Sequence, residues 1–98
     1  MKVKVLKQEV IEKINEVWED TDDTSMMWEL ISAGKFTEFV SVIEGAPEMA
    51  HVRSSDGRGP MWWAHEYKRP EMIDIMKQLR VSDERADKHG LRPIDLGK

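Results

Sequence analysis

Three histidines, an aspartate cluster and a glycine pair are the residues here whose types invite chemistry. His51, His65 and His89 could in principle hold a metal. A zinc helix needs its second His three residues beyond the His-Glu pair, and in this chain that place after His65-Glu66 is Arg69. All three histidines therefore read as surface or turn residues. Asp20, Asp22 and Asp23 have the rhythm of the first half of a calcium loop, but such a loop needs Gly at 25 and Glu at 31, where the chain has Ser25 and Ile31. Gly57-Arg58-Gly59 lacks the Gly-Lys-Ser/Thr ending of a phosphate loop. With no Cys there is no thiol nucleophile, Cys-ligated zinc or disulfide. No catalytic residue, metal ligand or cofactor site is assigned, and the chain is read as a non-enzyme.

Composition turns attention to surfaces. The 98 residues make one small domain with a thin core. The net charge of -4 argues against nucleic acid, which requires a clustered basic face. The acidity is local: residues 15–48 sum to -8, while 1–14 and 49–98 each sum to +2. No apolar run reaches the ~18–20 residues of a membrane span. Lys2, Lys4 and Lys7 beside Val3, Val5 and Leu6 are too few to hold a membrane surface. Seven Met and four Trp are many for so short a chain, and such side chains either fill a core or wait for a partner.

Helical spacing accounts for most of the chain. Leu6, Val10, Ile14, Val17 and Trp18 lie on one stripe, predicting an amphipathic helix over 5–19. The acidic run 19–25 is a capping linker, and helices are predicted over 26–33, 36–44, 60–67 and 70–80. Pro60, Pro70 and Pro93 suit first helical turns, and Gly34 and Gly45-Ala46-Pro47 suit helix ends. Residues 48–59 lack a helical period, and Ser54-Ser55-Asp56-Gly57 and His89-Gly90 are turn signals. Nothing alternates with period two, so the fold class is all-α.

A repeat runs through this pattern. Gly57-Arg58-Gly59-Pro60-Met61-Trp62-Trp63-Ala64 aligns without gaps to Gly90-Leu91-Arg92-Pro93-Ile94-Asp95-Leu96-Gly97, at an offset of 33 residues. A 33-residue unit of turn, short helix and short helix resembles the ankyrin repeat. The resemblance covers residues 26–98: a degenerate unit at 26–53, a fair one at 54–86 and a truncated one at 87–98. Residues 1–25 are the added N-terminal helix and linker. The departures are specific. Gly59 and Arg92 stand where the family has Thr, Trp62 and Asp95 where it has His, and Pro70 replaces an apolar packing residue. Lys68 stands where Gly normally ends the first helix left-handed, at a cost of about 1 kcal/mol. A solenoid this short needs a cap. Either the 5–19 helix supplies it or, the preferred expectation, the chain continues beyond Lys98.

The resemblance implies a short helix-turn-helix solenoid that binds a protein partner, in the cytoplasm or nucleus. Its hairpin tips would be Ser55, Asp56 and Arg58, then Lys88, His89 and Leu91. Its concave helix face would be Glu66 and Tyr67, with Trp62 nearby. Trp63 is expected in the core, as are Met26, Met27, Met61, Met72 and Met76. Trp18 and Trp28 are expected between the N-terminal helix and the first repeat. The acidic stretch 16–23 is a second candidate surface for a basic partner. The competing reading is an accessory or spacer domain of a larger enzyme or membrane protein, docked on its own chain.

Overall fold

The computed structural model describes residues 3–97, so Lys2 of the basic N-terminal segment and the terminal Lys98 lie outside the described residues. Five α-helices follow one another: α1 (Gln8–Glu16), α2 (Asp22–Ser32), α3 (Phe36–Gly45), α4 (Pro60–Glu66) and α5 (Pro70–Gln78). Two 3₁₀ turns, Pro47–Ala50 and Pro93–Asp95, complete the set. The all-helical expectation holds. The described residues contain no strand, only an isolated parallel bridge between Trp18 and Arg53. None of their helices is long and apolar enough to cross a membrane.

The helix bounds have local causes. α1 stops three residues short of the predicted end because Val17 turns extended and Trp18 leaves to pair with Arg53. α2 starts four residues earlier than predicted. Thr21 and Thr24 cap it reciprocally, each side-chain oxygen accepting from the other's backbone N–H at 3.2 and 2.9 Å. Asp22 and Asp23 sit in its first turn, where the helix dipole favours negative charge. Its far end closes when Lys35 N–H donates back to the Leu30 carbonyl, with Gly34 at φ +71°. Arg69 adds a cap from outside, its Nε and Nη2 donating to the carbonyls of Ile31 and Ser32 at 3.0 and 2.8 Å. A guanidinium at a helix C-terminus also meets the negative end of the dipole.

α4 is the centre of the molecule. Pro60, Met61, Trp62, Trp63 and Ala64 are all buried, so a seven-residue helix spends nearly its whole surface on the core. It packs against α2, α5 and the 3₁₀ turn Pro93–Asp95. Met27 and Ile31 of α2, Phe39 and Ile43 of α3, and Met72, Ile75 and Met76 of α5 close around it. Of the methionines expected in the core, Met27, Met61, Met72 and Met76 are buried, whereas Met26 is exposed at the surface of α2.

α4 ends as α2 does. Arg69 N–H donates to the Ala64 carbonyl at 2.7 Å, and Lys68 takes the left-handed conformation at φ +57°. The strain expected at Lys68 is therefore present. Lys68 is exposed, so Lys68→Gly should remove the strain without loss of packing and raise stability by about 0.5–1 kcal/mol. Urea unfolding followed by circular dichroism measures it.

The two predicted tips share one hydrogen-bond pattern. Ser54 N–H donates to the Arg58 carbonyl at 2.7 Å and Gly57 N–H to Ser54 at 2.9 Å. Exactly 33 positions on, Asp87 N–H donates to Leu91 at 2.8 Å and Gly90 N–H to Asp87 at 3.1 Å. Gly57 and Gly90 are left-handed at φ +83° and +80°. The turns are joined by Lys88 N–H donating to the Asp56 carbonyl at 2.8 Å. Glu12 of α1 pairs with Arg85, and Trp18, just beyond the helix, reaches the first tip and Arg53.

Candidate functional site

The structure shows a hydrogen-bonded pair of tips and, beside them, an open groove that none of the predicted tip or concave-face residues lines. In the tips, Asp56 Oδ1 accepts from the Ser54 hydroxyl at 2.6 Å and from Arg58 N–H at 2.9 Å. Asp87 does the same work for the second turn, Oδ1 accepting from the N–H groups of His89 and Leu91 at 2.8 and 2.9 Å. Its other oxygen takes Nε–H of Arg58 at 2.8 Å. Burial alone would raise the Asp87 pKa, but Arg58 and those two N–H groups hold it below the usual carboxylate range. Arg58 also reaches Glu66 at 3.5 Å. Arg58, assigned from sequence as a partner contact, thus already serves as the strut between the two tips and the end of α4. Ser55 is exposed, yet its N–H and hydroxyl both donate to Asp20 at 2.9 Å, tying the acidic linker to the first tip. Lys88 and His89 are exposed, and Leu91 is 38% exposed.

Trp62 must be withdrawn from the predicted contact face. It is 3% exposed, and its indole N–H donates to the Leu91 carbonyl at 3.0 Å, so it ties α4 to the second tip from within. Trp63 is core, as expected. Trp18 and Trp28 reverse their expected roles, at 41% and 44% exposed. Trp28 packs edge-on against Tyr67, their ring centres 6.5 Å apart, across the seam between α2 and the end of α4. Trp28, though not Tyr67, lines an open groove of about 480 Å³ together with Asp20, Thr24, Ser25, Glu29, Ser54 and Trp63. The α2 side of the groove was missed from sequence. With α2 running from Asp22, the buried stripe is Thr24, Met27 and Ile31, which leaves Ser25, Trp28 and Glu29 on the neighbouring, open face. The signal was the Thr21–Thr24 capping pair that fixes the start of the helix.

Arg53 was also missed. It is 6% exposed, and its guanidinium lies 4.4 Å from the Trp18 ring centre and 4.7 Å from that of Trp62. Nε donates to the Gly57 carbonyl and Nη2 to the Ala86 carbonyl, both at 2.7 Å. One cation therefore holds the bases of both tips.

His51 overturns the reading of all three histidines as surface residues. It is 2% exposed and neither ring nitrogen has a hydrogen-bond partner. Burial pushes its pKa down to about 4; the Leu79 backbone opposes this and Arg85 adds to it. The folded state thus binds the proton more weakly than the unfolded chain, whose His titrates near 6.5. Stability should be full above pH ~7 and fall as pH drops through 6.5 toward 4, by on the order of 2 kcal/mol. Urea unfolding at stepped pH measures the slope. His51→Gln should flatten most of it; a residue of the same sign remains from His65, also lowered by burial.

Among the described residues no three His, Asp or Glu side chains are grouped to hold a metal ion. In comparisons with family models, with curated proteins and with solved structures, the chain matches none.

Proposed function

We propose that this is a non-catalytic interaction module of ankyrin-like build, binding a protein partner across the tips and the α2–α4 groove. The observation that carries the reading is the Trp28–Tyr67 pair. A tryptophan 44% exposed beside a tyrosine, on the rim of a preformed groove, presents the two side-chain types that most often anchor interfaces. The build is supported by the 33-residue recurrence of the tip hydrogen bonds and by a proline opening the element after each tip, α4 at Pro60 and the 3₁₀ turn at Pro93. Ser55, Asp56, Glu66, Tyr67, Lys88, His89 and Leu91 remain the tip and face residues of the proposal, with Arg58 supporting them. Because hydrogen bonds and the Arg58 strut already fix both tips, little ordering entropy is lost on binding.

A photoreactive phenylalanine at Tyr67 should cross-link the partner in cell extract, while the same residue at Ser41, on the exposed side of α3, should not. Tyr67→Ala should lose the partner while costing only about 1 kcal/mol of stability, as a half-buried change does. Equal capture from both positions would refute the face.

A further inference from the structure

We infer that the groove takes a basic peptide segment of the partner, its Arg or Lys side chains lying on Trp28 and Tyr67 and pairing with Glu29 and Asp20. This rests on the interaction reading above and narrows it to one partner chemistry. The groove's charges are all of one sign. Asp20 and Glu29 line it, and none of its lining residues is Lys or Arg. α2 has no basic residue along its eleven positions. Arg58, the one basic residue of the tip 54–58, is already shared by Asp87 and Glu66. The surrounding stretch 15–48 carries the chain's acidic excess, so the approach is attractive to a cation.

Charge is joined here by aromatic faces, which separates this groove from an ordinary acidic surface. A guanidinium or ammonium over Trp or Tyr gains more as it loses water, and Trp is the best such platform. The protein already uses this contact internally, where Arg53 lies between Trp18 and Trp62. Trp28 presents a comparable indole surface to solvent. Asp20 is also suited to the role. Its carboxylate is held below the usual range by the Ser55 N–H and then the Ser55 hydroxyl, so it stays charged and fixed in place. The groove is open rather than enclosed, which fits a peptide segment better than a buried small molecule.

The experiment titrates ¹⁵N-labelled protein with three peptides of equal length: alternating Arg/Gly, alternating Glu/Gly and Ser/Gly. The Arg peptide should shift the amides of Ser25, Trp28 and Glu29 and the Trp28 indole N–H, with an affinity that falls as salt rises. Trp28→Ala, which leaves the charge unchanged, should weaken it about 2- to 5-fold, the scale of one exposed cation–π contact. Glu29→Lys should weaken it at least as much. Glu44→Lys makes the same charge change at an exposed site on α3 and should leave the affinity within about 2-fold, since screening limits distant charges. Equal losses from Glu29→Lys and Glu44→Lys would overturn the proposal in favour of bulk charge. So would full affinity in Trp28→Ala, or no binding of the Arg peptide. Glu or Ser peptides shifting the same resonances would overturn the basic class while leaving the face intact. Cross-linking at Tyr67 decides that face independently.

Discussion

Arg53→Met is expected to cost the fold about 3 kcal/mol, lowering the midpoint of thermal unfolding by roughly 15 °C in a domain of this size. Replacing a buried charge by an apolar side chain of similar volume is often harmless, because the desolvation penalty of the charge disappears with it. Arg53 differs in what it leaves behind. Its partners are the carbonyls of Gly57 and Ala86, backbone groups that no substitution removes. Ala86 is exposed, so water can replace the lost donor there, but the bond to Gly57 is buried and its acceptor would be stranded. An unsatisfied buried acceptor costs about 1–3 kcal/mol, and the lost charge-assisted bond and indole contacts add to that. Arg53→Lys should recover less than half, because an ammonium has neither the plane to lie between two indoles nor the fork to donate in both directions. Urea unfolding of the three proteins supplies the comparison. A loss under about 1 kcal/mol in Arg53→Met would place Arg53 with the buried charges that contribute nothing net.

Arg53 also marks the limit of what the residue pattern revealed. α3, α4 and α5 were legible because their causes are local: a proline at the first turn, an apolar stripe, and a chain reversal at Gly34 or Lys68. The equivalence of the tips was legible because the same Gly and Pro recur 33 positions apart. Long-range pairings left no such trace. Nothing local to Arg53 announces that Trp18, 35 positions earlier, and Ala86, 33 later, will enclose it. The tryptophans illustrate the same point. Trp62 and Trp63 are neighbours in the buried part of α4, and the resemblance to the ankyrin pattern places one of them at the surface. Trp28 is expected between the N-terminal helix and the first unit, yet it is 44% exposed, on the face of α2 beside the buried Thr24, Met27 and Ile31. An exposed aromatic differs from a buried one only through its neighbours in space, and the candidate groove depends on exactly that distinction.

The resemblance to ankyrin repeats makes a prediction of its own at Gly59, and the structure reverses it. The family places Thr there, so Gly59→Thr should repair the turn and add up to about 0.5 kcal/mol as an N-cap of α4. The structure instead predicts a loss of about 3 kcal/mol for Gly59→Thr, and nearly as much for Gly59→Ala. Backbone conformation is not the reason: at φ -152° Gly59 is extended, where any residue is comfortable. The obstacle is the Val52 carbonyl oxygen, which occupies the space a Cβ would need. That obstacle is backbone and cannot rotate aside. Overpacking of this kind costs about 1–3 kcal/mol or more, so the cap cannot offset it. Moving Val52 would also disturb Arg53 next to it, and with it the bridge to Trp18 and the grip on both tips. The equivalent position of the second turn, Arg92, is exposed, and Arg92→Thr keeps the backbone N–H that Asp95 accepts at 2.9 Å. It should therefore change stability by less than about 0.5 kcal/mol, as an exposed substitution does. Thermal unfolding of Gly59→Thr and Arg92→Thr side by side tests the argument. Equal effects would mean that the turns are interchangeable, whereas a large loss at 59 alone means that the first turn seats a carbonyl directly against glycine where the ankyrin pattern has a hydroxyl.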